Sequence, residues 1–316
     1  MKNNITPTVE GGLLIAISVI LGLCANYLPI LGAVVEFFCA VPFVILTVRH
    51  GIGKSLLALT VSFFLLSMFM GPILSARIAI TLNICGVMLG YCIEKNFSTV
   101  KSFIATFMTA IFAQSLAIYI LMAAMGINFT ETELSMLRES FQESFALYES
   151  MGVDEAQLAE MKNQVEPIIN LISYLMPTII ILMALLNTVA CYLTSKWIFI
   201  KLRFKFIEPL PKFSAWRFPI FFLYLAAFAA IGLYWSTTRN LNLLYIVSVN
   251  SMIFATAIGF LQGLAVLTCA ADKYNVSKFV RRLLFVVIIL NGLFLQIVSF
   301  IGLLDMIFDY RKKLLS

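Results

Sequence analysis

Nine stretches of this chain run apolar with no polar alternation, and they constrain its fold more than any other feature. They extend approximately from Gly12 to Leu28, Leu31 to Val48, Ser55 to Met70, Ile78 to Ile93, Phe103 to Met125, Ile168 to Trp197, Phe218 to Trp235, Leu243 to Ala271 and Leu283 to Leu304. A helix crossing the hydrocarbon core of a bilayer needs about 20 such residues, and most of the runs approach or exceed that length; the third and fourth are short. Inside lipid every backbone N–H and C=O must be satisfied internally, which leaves helices or closed barrels, and unalternated runs exclude the barrel. The expected fold is therefore an all-α polytopic helical bundle embedded in a lipid bilayer. Composition agrees: 61% of residues are hydrophobic, 12% are charged, and the mean hydropathy is +0.99.

Glu10 precedes the first run, and no small-residue cleavage signal follows it before the second, so it is expected as a retained helix. Lys and Arg set the expected orientation. With the N-terminus in the cytoplasm, 15 of the 22 basic residues fall on the cytoplasmic side, including all of those between Lys196 and Arg217. Three of the seven exceptions, Arg311, Lys312 and Lys313, lie in the C-terminal tail. Nine spans put that tail outside. Nine is the expected count; the alternative is eight spans, with the last run a re-entrant hairpin broken near Asn291-Gly292, which returns the tail to the cytoplasm.

One segment is unlike the rest. Residues 127–166 carry nine acidic residues against Arg138 and Lys162, and form the expected extracytoplasmic insert. Thr130-Glu131-Thr132-Glu133 has the pattern of a capping box, followed by Leu134, Leu137, Phe141, Phe145 and Tyr148 at helical spacing. Gly152 ends that helix, Asp154 caps a second, and Pro167 marks the junction with the sixth span. Two amphipathic helices beside a membrane cover an apolar surface, and a lid over the outer mouth is one expectation. The basic loop beyond Lys196 contains Pro209 and Pro211 and divides the chain into residues 1–200, with six spans, and 201–316, with three.

The net charge of +6 reflects basic loops and gives no reason to expect nucleic-acid binding. The six cysteines form no C-x-x-C pair and there is one histidine, His50, so neither a disulfide framework nor a metal site is expected. There is no H-E-x-x-H, no G-x-x-x-x-G-K-[ST] and no G-x-S-x-G, and hence no expectation of an enzyme or a cofactor.

Polar side chains inside spans are costly unless they meet a cavity or a partner. The candidates for a ligand site are Glu36, Arg77, Asn83, Gln114 and Asn187; Asn250, Gln262, Asn291 and Gln296 are read mainly as interhelical ties. Glu36 and Arg77 each lie within two helical turns of an outer turn, at Pro29-Gly32 and Gly71-Pro72, and are expected to pair at the entrance to the site. Pro42 and Pro177 fall within spans, where they free backbone groups. On the first helix Gly12, Ala16 and Gly22 form a broad small-residue stripe expected to face a protein partner.

The whole chain resembles the YybS-like family of predicted bacterial membrane proteins, which has no assigned activity, on the strength of several segments. They are Gly11-Gly12-Leu13-Leu14-Ile15-Ala16, Leu28-Pro29-Ile30-Leu31-Gly32, Val41-Pro42-Phe43, Val48-Arg49-His50-Gly51, Gly302-Leu303-Leu304-Asp305 and Phe308-Asp309-Tyr310-Arg311. More remotely, the first six spans resemble the substrate-binding subunits of energy-coupling-factor transporters. That resemblance implies a small-molecule pocket near the outer face, a first helix docked on a membrane coupling subunit, and energy from a partner ATPase. The three further spans and the acidic insert depart from that pattern. The competing expectation is a membrane scaffold without a ligand site, whose insert and basic loop are docking surfaces.

Overall fold

The computed structural model describes residues 7–29, 31–125, 129–203 and 212–315. The prolines 209 and 211 lie outside the described residues, as do the side chains of Thr130, Thr132 and Glu133 that would form the capping box. Within the described residues the helices are α1 (Pro7–Tyr27), α2 (Leu31–Glu36), α3 (Val41–His50), α4 (Ile52–Met70), α5 (Pro72–Arg77), α6 (Ile84–Glu94), α7 (Thr99–Met125), α8 (Phe129–Ser150), α9 (Glu155–Lys201), α10 (Phe221–Arg239), α11 (Asn242–Lys273), α12 (Lys278–Leu290), α13 (Gly292–Phe308) and α14 (Tyr310–Leu315). A π-helical segment, Ile78–Asn83, joins α5 to α6. Among the described residues eight spans are long and apolar enough to cross a membrane, and α12 with α13 form a further pair bent by 106°.

Two compact units divide the chain: Met1–Ala159 with Ile179–Pro209, and Glu160–Thr178 with Leu210–Ser316. In the first unit α3 crosses α6 closely. A Cβ on Gly90 would come 2.6 Å from the Cβ of Thr47, and one on Gly86 would meet the Ala40 carbonyl, so only glycine lets these backbones touch. Leu14, Phe43, Leu46, Ala58 and Val87 fill one apolar cluster beside that crossing, and Val19, Cys39, Leu66, Ile78 and Leu82 fill a second. Glu10 of α1 pairs with Arg49 and, at 3.1 Å, with His50, tying the start of α1 to the end of α3.

The boundary between units falls inside α9 as well as in the basic loop. Pro167 does not end a helix as the sequence reading expects: α9 runs through both Pro167 and Pro177, since a proline removes only one ladder hydrogen bond and flanking turns hold the rest. Next to Pro177, within the second unit, the amide of Asn250 on α11 inserts into the helix. Its Oδ1 accepts from Thr178 N (3.2 Å) and from Thr178 Oγ1 (2.6 Å), and its Nδ2 donates to Tyr174 O (2.7 Å). The side chain thus bridges the carbonyl and amide that a regular turn would join, and holds α9 to α11. Asn250→Leu is expected to lower the midpoint of a detergent melt by the equivalent of about 1–2 kcal/mol, three interhelical hydrogen bonds being lost at roughly 0.6 kcal/mol each; an unchanged melt would show the bridge to be energetically idle.

The bent pair also belongs to the second unit. Asn291 breaks it, its side chain accepting from the amides of Leu293 (3.0 Å) and Phe294 (3.4 Å) to cap α13. Arg281 near the start of α12 reaches Asp272 (2.6 Å), while beyond α13 Arg311 donates to the carbonyls of Ser214 (3.0 Å) and Trp216 (2.6 Å). Arg217 pairs with Asp309 at 2.9 Å. Both ends of the pair therefore return to the end of α11 that carries Asp272 and Lys273. This geometry fits the eight-span count with a re-entrant hairpin, and it places Arg311 and Lys312 with the other basic residues at that end instead of opposite them.

At the insert, Gly152 takes φ +83° after α8, and Asp154 occupies the N-cap position of α9 with an extended backbone but no side-chain cap.

Candidate functional site

In the first unit two spans lose their regular backbone within reach of one another. The second run does not form one helix. It stops at Glu36, turns through Phe37–Ala40 and restarts at Val41 with Pro42 in the first turn, where a missing N–H costs nothing. The carbonyl of Phe37, freed by the break, accepts a hydrogen bond from Thr194 Oγ1 of α9 (3.1 Å).

In the fourth run the interruption is the π segment, where Ile84 N bonds to Ala79 O, one residue further back than in an α-helix. Side chains take up carbonyls there: Thr81 Oγ1 donates to Arg77 O (2.6 Å) and Cys85 Sγ to Thr81 O (3.1 Å).

A cavity of about 10 Å³ lies at the meeting of these elements, lined by Glu36, Phe37 and Ala40 from the break, Leu82 and Cys85 from the π segment and α6, and Asn187, Ala190 and Cys191 from α9. That volume suits one water molecule. At its edge Arg77 Nη2 stands 3.5 Å from Glu36 Oε1, so the expected pair of outer charges is formed, with both side chains part-exposed. Asn83, next to the lining residue Leu82, is fully buried, and neither its Nδ2 nor its Oδ1 has a hydrogen-bond partner. Gln114 on α7 has a buried, unpartnered Oε1. Buried amides are nearly always satisfied, so an orphan of this kind calls for an explanation.

Four of the five ligand-site candidates are thus tied to one region: Glu36 and Asn187 line the cavity, Arg77 pairs with Glu36, and Asn83 is adjacent along the π segment. Nothing brings Gln114 to the cavity wall. The sequence reading passes over Cys85, Cys191 and Thr194, which look like ordinary packing residues; the only signal for them is their spacing opposite a helix break that the sequence marks solely by Pro42.

The small-residue stripe on α1 needs correction. Gly12 and Ala16 face outward, with open space around a Cβ at Gly12. Gly22 faces inward, where its Cβ would come 3.0 Å from Leu66. Six residues of α-helix rotate Gly22 about 120° from Ala16, too far to share one face.

The second unit holds a separate buried network that the sequence does not announce. Asp305 Oδ2 accepts from Gln262 Nε2 (2.7 Å) and from Arg311 Nη2 (2.9 Å), and Gln262 Oε1 accepts from Phe218 N (3.0 Å). Arg311 and Asp305 are 2% and 3% exposed, so what reads as a tail residue is in fact interior. Among the described residues no three His, Cys, Asp or Glu side chains gather as a metal site.

No solved structure matches the chain. It is 24% identical to the uncharacterized protein YybS of Bacillus subtilis, over 96% of this chain and 97% of that protein. Residues 16–306 match the family described as predicted membrane protein (DUF2232). With that match reaching all eight candidate spans and the bent pair, the chain is an integral, multi-pass membrane protein and belongs to the DUF2232 family.

Proposed function

We propose that this protein binds a small polar solute in its first unit, at the cavity between the broken second span and the π segment of the fourth, as a step in transport. One observation carries the reading. Two backbone interruptions flank the same cavity beside Asn83, a fully buried amide with no partner for either end. Discontinuous helices are a common way for a membrane protein to present polar groups to a solute, and a buried amide that no protein group satisfies has donors and an acceptor to offer one. The water-sized cavity is then the closed form, and the Glu36–Arg77 pair is its outer latch. Asn187 lines the wall, and Gln114 contributes from α7 as the site widens.

The chain has no phosphate-binding loop, so energy would come from a membrane coupling subunit and an ATPase, with the outward Gly12 and Ala16 of α1 as the docking face. The setting is the bacterial cytoplasmic membrane with the N-terminus inside, as the basic loops suggest. No catalytic role is proposed.

The test uses Asn83→Leu and Glu36→Gln, with mass spectrometry of small molecules that co-purify in mild detergent. Asn83→Leu should lose the co-purified solute, and it should melt higher than solute-free native protein, because removing a buried unsatisfied amide is expected to raise stability by about 1–3 kcal/mol. Glu36→Gln should lose it without a change in melting. A solute retained by both variants, or none bound to the native protein, sinks the proposal in favour of a scaffold.

A further inference from the structure

At the basic end of the second unit a cavity of about 460 Å³ is lined by Ser214, Ala215, Arg217, Cys269, Asp272, Lys273 and Arg311. This is within the roughly 300–1,000 Å³ of ordinary small-ligand sites. Its lining carries three cations against one carboxylate, and the carboxylate is already engaged: Asp272 is held by Arg281 at 2.6 Å. Arg311 is likewise committed. It is 2% exposed, spends its donors on Asp305 and on the carbonyls of Ser214 and Trp216, and so fixes the loop that forms one wall. The charges left to meet a ligand are Lys273, which has no ion-pair partner among the described residues, and Arg217, whose guanidinium is shared with Asp309 at 2.9 Å and is more than half exposed. The Ser214 hydroxyl adds a neutral donor.

Aromatic side chains crowd the wall of this cavity. Phe213 and Trp216 meet edge-to-face at 5.3 Å, and Trp216 and Phe218 at 6.4 Å, a chain of aromatic rings of the kind that gathers at the headgroup level. Beyond the Asp272–Arg281 pair, α12 leaves Phe279, Leu283 and Leu290 bare to the outside, a face on which acyl chains can lie.

We propose that this cavity is a binding site for a phosphate anion, with Lys273 and Arg217 as the charged ligands and Ser214 as a hydrogen-bond donor, and that the phosphate is carried by the headgroup of an anionic phospholipid. Basic pockets between helices at the headgroup level hold lipid phosphates by this chemistry, each cation near the surface adding to the attraction. The site is independent of the solute cavity of the first unit.

Native mass spectrometry of the full chain, released from bilayer discs containing phosphatidylglycerol and phosphatidylcholine in equal amounts, tests it. The native protein should retain phosphatidylglycerol selectively. Arg217→Gln/Lys273→Gln, both at exposed positions, should bind it roughly 30-fold more weakly, whereas Arg239→Gln, at the other end of α10, should not differ from the native protein. A parallel titration with inorganic phosphate separates the sources: saturable binding of phosphate alone, abolished by the same double substitution, keeps the anion site but assigns it to free phosphate. Equal retention of the two lipids with no binding of phosphate, or a double variant indistinguishable from the native protein, overturns the proposal.

Discussion

Gly302→Ala is expected to yield little or no folded protein. A Cβ at this position would meet the Gly259 carbonyl oxygen and the Gly263 amide together, at the crossing of α13 with α11. Overpacking ordinarily costs about 1–3 kcal/mol because neighbouring side chains can shift. Here the neighbours are backbone, and the Val298 and Ser299 carbonyls of the same helix already press on Gly263 and Gly259, so the two helices must separate. The loss should exceed that range. Gly12→Ala is the matched control, since nothing lies within 4 Å of a Cβ there, and its change should stay within roughly 0.5 kcal/mol. Monodisperse yield and melting midpoint in detergent measure both. A Gly302→Ala protein that melts like the native one would show that α11 and α13 do not touch through their backbones.

The next largest effect belongs to Arg311→Gln, a change that the sequence alone would call a mild edit of a basic tail. It removes the charge opposite Asp305 and the donors to the carbonyls of Ser214 and Trp216. Asp305 Oδ1 already lacks a partner, so the buried carboxylate would keep only Gln262. Breaking a buried pair from one side costs about 3–5 kcal/mol, because the surviving charge is stranded. Asp305→Leu/Arg311→Leu should recover part of that loss, since no charge is then left unpaired. A melting midpoint for Arg311→Gln equal to the native value, or a double variant less stable than the single, would contradict the assignment.

The helical class, the membrane and the approximate spans are legible in the sequence because long apolar runs have few physical solutions. The Glu36–Arg77 pair is legible for a similar reason: two charges at equal depth beside marked turns have few other partners. What escapes is whatever depends on direction around a helix axis. The small-residue spacing Gly86-x-x-x-Gly90 and Gly259-x-x-x-Gly263 is as plain as that on α1, yet hydropathy does not say which of such pairs faces protein and which faces lipid. Arg311 escapes for another reason. Its burial depends on Asp309 adopting a left-handed conformation, φ 45°, after α13, which turns the chain so that α14 folds Arg311 back onto Asp305. Nothing in a run of Arg-Lys-Lys signals that.

The π segment has a consequence for how the fourth span can change. Each residue of an α-helix advances the side chains by about 100°, so the one extra residue accommodated between Ile78 and Asn83 sets the angular phase of everything after it. Gly86 and Gly90 meet Ala40 and Thr47 only in that phase. Converting the segment to a regular α-helix at unchanged length would advance everything after it by one residue, about 100°, and swing both glycines away from α3, presenting bulkier side chains to a crossing that admits none. Deleting one residue would instead regularise the helix and keep the glycines in place. The upper half of the span, with Arg77, and the lower half, with the glycine seam, are therefore clocked to each other by an irregularity six residues long.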